Sequence, residues 1–147
     1  MVVTASDRLR RTIQLVWIAG FLARATTHVA ELVAGGADTY VEFPGPARAF
    51  WISLTALDPL TALLILLRRR SGIVLGLAVI LSDIIVNWTI LLTIGGHSLF
   101  GVVSQSLFAA FLLVTAPALW RWLLPHRRGA TSGERPSAPP RSEAPQP

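Results

Sequence analysis

The chain has 147 residues, 52% of them hydrophobic and 14% charged, with a mean hydropathy of +0.57, whereas an average soluble domain carries roughly 25% charged residues. A chain of this length and apolarity excludes an ordinary soluble fold and points to one membrane domain, whose apolar side chains meet lipid or a neighbouring helix. Its net charge is +5, its 13 basic residues are all arginine, and it has no cysteine, which excludes disulfides, thiolate metal sites and cysteine nucleophiles.

The first twelve residues form a short basic segment with Arg8, Arg10 and Arg11. Four apolar segments follow, at about 13–34, 47–67, 72–94 and 99–124. Each has the roughly 20 residues a helix needs to cross a hydrocarbon core of about 30 Å. A secretory signal competes at the N-terminus, because Thr12 to Ala23 is apolar and Ala23-Arg24-Ala25 has the small-x-small form of a cleavage site. The Arg10-Arg11 pair has the look of a twin-arginine signal, but a polytopic remainder does not suit that route.

The connections set the topology. Residues 35–46 hold Gly35, Gly36, Pro44, Gly45 and Pro46, residues 68–71 are a tight basic turn, and residues 95–98 are a Gly-rich turn containing His97, read as a solvated loop residue. Short connections force antiparallel neighbours, so the expected fold is all-α, an up-down bundle of four transmembrane helices. Arginines gather before the first segment, between the second and third, and after the fourth, while the first connection carries Asp38 and Glu42. This positive-inside pattern puts both termini in the cytoplasm and the chain in the inner membrane. Tyr40, Phe43, Phe50 and Trp51 are expected at the outer boundary, with Trp120 and Trp122 at the inner one.

From residue 125 to 147 the chain is rich in Pro, Ser, Gly and charge, and is read as a disordered cytoplasmic tail, with His126, Arg127 and Arg128 at the anionic leaflet. The absence of lysine is associated with GC-rich bacterial genomes. No aromatic-basic interleaving or recognition motif points to nucleic acid.

Function is sought among the polar residues inside the apolar segments. Arg24, Asp58 and Asp83 each fall near the middle of a different segment, where an unpaired charge costs at least about 2.5 to 3.5 kcal/mol. On the first segment Arg24, His28 and Glu31 lie within about 60° of one another at 100° per residue, forming one polar stripe. On the third, Asn87 stands one turn beyond Asp83, which puts it level with His28 about 6 Å above the midplane. Gln105, flanked by Ser104 and Ser106, lies in the outer half of the fourth segment, and Ser53 and Thr55 in that of the second.

Arg24 opposes three carboxylates, Glu31, Asp58 and Asp83. The excess negative charge calls for a proton, a charged His28 or a bound cation. The expected function is therefore binding or transport of a small cationic or protonatable ligand at Arg24, His28, Glu31, Asp58, Asp83, Asn87 and Gln105. One alternative is a non-catalytic scaffold or assembly subunit whose polar cluster only orders the helices. Another is an intramembrane enzyme on a lipid-like substrate, with His28 and Glu31 or Asp83 in acid-base roles.

Three motifs carry narrower expectations. Asp58-Pro59 is a helix-start signature, which reads as a break in the second segment with Asp58 as N-cap. Gly72 and Gly76 form a G-x-x-x-G that allows close approach within the bundle or across a homodimer. Pro117 kinks the fourth helix and frees the Leu113 carbonyl. His28 and Glu31 supply one reversed half of a carboxylate-metal bundle motif, so no metal site is assigned. No nucleophile elbow, phosphate loop or dinucleotide fingerprint occurs, and no cofactor is assigned. In layout alone the chain is similar to small four-helix membrane families such as the DoxX-like proteins and the sterol-isomerase group, and no residue role is carried over from them.

Overall fold

A computed structural model describes residues 5–96 and 98–123. They form four helices: α1 (Ala5–Gly35), α2 (Gly45–Leu66), α3 (Arg70–Thr93) and α4 (Leu99–Trp122), with a 3₁₀ turn at Gly36–Asp38. Backbone contacts run α1 to α2, α2 to α3, α3 to α4 and α4 back to α1, so the helices close into a ring of antiparallel neighbours. His97, Leu124 and the expected tail at 125–147 lie outside the described residues.

The helix bounds follow from the sequence with two corrections. Helix α1 begins at Ala5, well before residue 13. The basic segment is itself helical, with Asp7 in the first turn, where an acid suits the helix dipole, and with Arg10 3.9 Å from it. Secondly, α2 runs unbroken through Asp58 and Pro59. Pro59 removes one donor and frees the Thr55 carbonyl, but burial of Leu54, Asp58, Thr61 and Ala62 holds the two halves in line. Pro117 likewise lies inside α4 without ending it.

Helices α2, α3 and α4 are each long and apolar enough to cross a membrane. At 22 to 24 residues they are about 33 to 36 Å long. Helix α1 packs as the fourth member, its apolar character diluted by Arg24, His28, Glu31 and the N-terminal arginines.

Polarity is distributed inside out. Large apolar side chains face outward, among them Val33, Phe100 and Val114, each at least 80% exposed, while Asp58, Asp83 and Thr61 are fully buried. The outward hydroxyls of Thr26, Thr89, Thr93 and Ser104 each donate to the carbonyl four residues back, an arrangement that leaves them no need of water.

The end of the bundle holding the α2–α3 turn is filled by an apolar core with Trp17, Phe21, Ile65, Ile73, Ile80 and Leu112 at its centre. Gly72 and Gly76 belong to it. A Cβ at Gly72 would lie 2.8 Å from the Ile65 backbone nitrogen, and one at Gly76 would lie 3.0 Å from Thr61 Cγ2. Close approach is thus used between α3 and α2 inside one chain. The two glycines are buried.

Candidate functional site

Helix α1 aims Arg24 into the bundle between α2 and α3. Its Nε donates to Asp58 Oδ2 at 3.1 Å and its Nη1 donates to Asp83 Oδ2 at 2.7 Å. Both carboxylates are fully buried and Arg24 is 9% exposed. One guanidinium thus ties three helices together, using the fork of donors that lysine lacks. Arg24 Nη2, Asp58 Oδ1 and Asp83 Oδ1 remain buried without a hydrogen-bond partner. The triad carries one formal negative charge in a medium where uncompensated charge is costly.

One helical turn along α1 and α3, about 6 Å, the packing opens into a cavity of about 440 Å³. His28, Glu31, Asn87 and Gln105 line it, and Arg24, Asp58 and Asp83 do not. The seven residues singled out in the sequence therefore separate into a buried ionic layer and a cavity layer. The α3–α4 turn and the start of α4 contribute Gly96, Ser98 and Gly101 to its wall, and the connection after α1 contributes Tyr40, Glu42 and Phe43.

Hydrogen bonds hold the walls. Trp51 Nε1 donates to Asn87 Oδ1 at 2.9 Å, and Asn87 Nδ2 donates to Gln105 Oε1 at 2.5 Å. Because the indole can only donate, it orients the Asn87 amide and so presents the NH₂ group to Gln105. On the facing side the Tyr40 hydroxyl donates to Glu31 Oε2, and His28 Nδ1 lies 3.4 Å from both. Burial, then the hydrogen bond and charge of Glu31, push the Tyr40 hydroxyl well above the ordinary tyrosine range. Tyr40 also occupies the left-handed region at φ 61°, a conformation that costs a non-glycine residue roughly 1 to 2 kcal/mol.

Sequence reasoning missed Thr27, Tyr40, Glu42, Phe43 and Trp51 as cavity residues. Tyr40, Phe43 and Trp51 are expected at the outer boundary, and in the structure Trp51 is 2% exposed and packs against both rings at 5.1 Å between centroids. The available signal was the pairing of Glu42 with Phe43 and Tyr40 in one connection, which suits a loop folded over a bundle end better than one spread in the interface. Ser53 and Thr55 bond the carbonyls of Phe50 and Ile52 and take no part. Ser106 accepts from Trp88 Nε1 at 3.1 Å.

No known protein family matches this chain, and neither a curated protein nor a solved structure is similar enough to it to carry an inference. The chemistry must be read from the cavity itself. Among the described residues its walls hold two carboxylates, Glu31 and Glu42, with three aromatic rings, two amides and one imidazole, and no arginine. Among the described residues no three His, Asp or Glu side chains converge as a metal-ligand group. The aspartate pair is occupied by the Arg24 guanidinium.

Proposed function

We propose that this protein is a four-pass inner-membrane protein with both termini cytoplasmic, which binds a small organic cation, such as a protonated amine, in the outward cavity. The observation that carries the reading is an acidic, aromatic-walled cavity of about 440 Å³, with no arginine among the described residues that line it. A volume of that size suits a small ligand. Tyrosine and tryptophan faces attract an ammonium group by about 0.5 to 2 kcal/mol, depending on desolvation. Glu31 and Glu42 supply the compensating charge.

Membrane insertion of all four helices is supported by the buried ion triad beneath an apolar exterior. The reading favours binding over passage. Below the ionic layer the bundle is filled by Trp17, Phe21, Ile65 and Ile80, each fully buried, so the cavity is blind in this conformation. A scaffold role is the second reading, because Arg24 links α1, α2 and α3 whether or not a ligand arrives.

The test is thermal unfolding of the purified chain in detergent with a panel of organic ammonium compounds, for wild type, Glu42→Gln and Asp83→Asn. A ligand that binds only the folded state raises the midpoint with its concentration. Amine-dependent stabilisation that is lost in Glu42→Gln supports the binding reading. No response to any amine, with Asp83→Asn merely less stable, would favour the scaffold.

A further inference from the structure

The opposite end of the bundle carries a second constellation. The α2–α3 turn presents Arg68, Arg69 and Arg70, and the end of α4 presents Trp120 and Trp122. The Arg68 guanidinium carbon lies 4.2 Å from the Trp122 ring centroid, and that of Arg70 lies 4.7 Å from the Trp120 ring centroid. Each guanidinium also touches a carbonyl at the end of α4, Arg68 with Trp122 at 3.5 Å and Arg70 with Trp120 at 3.4 Å. Arg70 Nε has no hydrogen-bond partner.

Two features set this end apart from a solvated basic surface. First, each guanidinium lies over an indole ring and is held by one bond to a carbonyl of α4, which leaves its remaining N–H donors for an acceptor such as a phosphate. Second, the turn is strained in favour of arginine. Arg68 N–H donates to the Ile65 carbonyl and Arg69 N–H to the Leu64 carbonyl, the paired bonds of a Schellman helix end. Arg68 therefore stands at the left-handed position, φ 57°, that glycine normally fills. A side chain held there against backbone preference points to a use for that side chain.

The charge is one-sided. Among the described residues this end holds Arg8, Arg10, Arg11, Arg68, Arg69, Arg70 and Arg121 against one acid, Asp7.

We propose that Arg68, Arg69 and Arg70, with Arg68 and Arg70 braced by Trp122 and Trp120, bind the phosphate headgroup of an anionic phospholipid of the cytoplasmic leaflet. Trp120 is 39% exposed and sits where an indole spans headgroup and acyl chain. The site rests on the membrane reading above and is independent of the amine cavity.

The test uses the full chain in detergent micelles, with phosphatidylglycerol, phosphatidylcholine or inorganic phosphate added during thermal unfolding. Phosphatidylglycerol should raise the midpoint of wild type by about 5 °C, and the other two should not. Arg68→Gly gives up the Trp122 contact but relieves the left-handed backbone, so it should still fold and should lose most of the lipid shift. Arg70→Gln should lose it as well. Arg8→Gln/Arg10→Gln/Arg11→Gln should retain it. Equal shifts with phosphatidylcholine, full shifts in Arg68→Gly, loss of the shift in the N-terminal variant, or the same shift from inorganic phosphate alone would each overturn the proposal. Native mass spectrometry of wild type gives a readout free of any folding defect: one retained phosphatidylglycerol supports the site, and no preference over phosphatidylcholine overturns it. Whether the chain needs detergent to stay in solution checks the membrane reading separately.

Discussion

At the scale of single residues the energetics centre on Arg24. Removing it leaves two fully buried carboxylates facing each other across α2 and α3, and breaking a buried ion pair by deleting one partner costs about 3 to 5 kcal/mol. Arg24→Leu should lose stability in that range by denaturant unfolding in micelles. Asp83→Asn keeps an oxygen for Nη1 and cancels the excess charge, so its loss should be smaller by about 2 kcal/mol. Similar losses in the two variants would mean that the triad's charge balance is not what holds it. Tyr40 gives a second handle, being the chain's one tyrosine. Its neutral form is favoured in the folded state, first by burial and then by Glu31, so its phenolate absorbance should rise only above pH 10.0, its ordinary value. The sign follows: stability that Tyr40 contributes is complete below pH 10.0 and is lost as the pH climbs through the raised folded value. Glu31→Gln should bring that titration back toward the ordinary range, and an unmoved titration would break the proposed Tyr40–Glu31 link.

At the scale of elements the bundle depends on how closely α2 and α3 approach. A methyl at Gly72 meets the Ile65 backbone at 2.8 Å, where neither atom can turn aside. Gly72→Ala should therefore cost about 1 to 3 kcal/mol as overpacking. Gly45, at the start of α2, has nothing within 4 Å of a Cβ. There Gly→Ala should be neutral or gain about 0.4 to 1 kcal/mol by restricting the unfolded chain. The pair is measured by the same unfolding assay, and a reversed order would contradict the α2–α3 packing.

At the scale of the whole molecule the proposed topology is open to direct test, because the chain has no cysteine and every introduced thiol is unique. Asp38 and Ser71 are exposed at opposite ends of the bundle. In intact cells a membrane-impermeant maleimide should label Asp38→Cys at once and Ser71→Cys only after permeabilisation. The reverse pattern would invert the topology, and equal labelling of both would argue against a spanning bundle.

The four helices were legible because apolar runs of about 20 residues separated by Gly, Pro and Arg turns admit few other structures. The alignment of Arg24 with His28, and of Asp83 with Asn87, followed from helical period alone. Period orders residues along one helix only, so it could not say that a single guanidinium would reach both Asp58 and Asp83. Nor could it separate that buried layer from the cavity above it. The break at Asp58-Pro59 failed as an expectation because a local start signal is weak beside burial on both sides of the proline. Tyr40, Phe43 and Trp51 became cavity walls only when the connection after α1 folded back over the bundle end. Composition and period thus determined an apolar bundle with a polar interior, since both act within a segment. Tertiary packing decided which polar groups meet, where space is left, and which arginines are held ready at the other end, since those depend on distances between segments far apart in the chain.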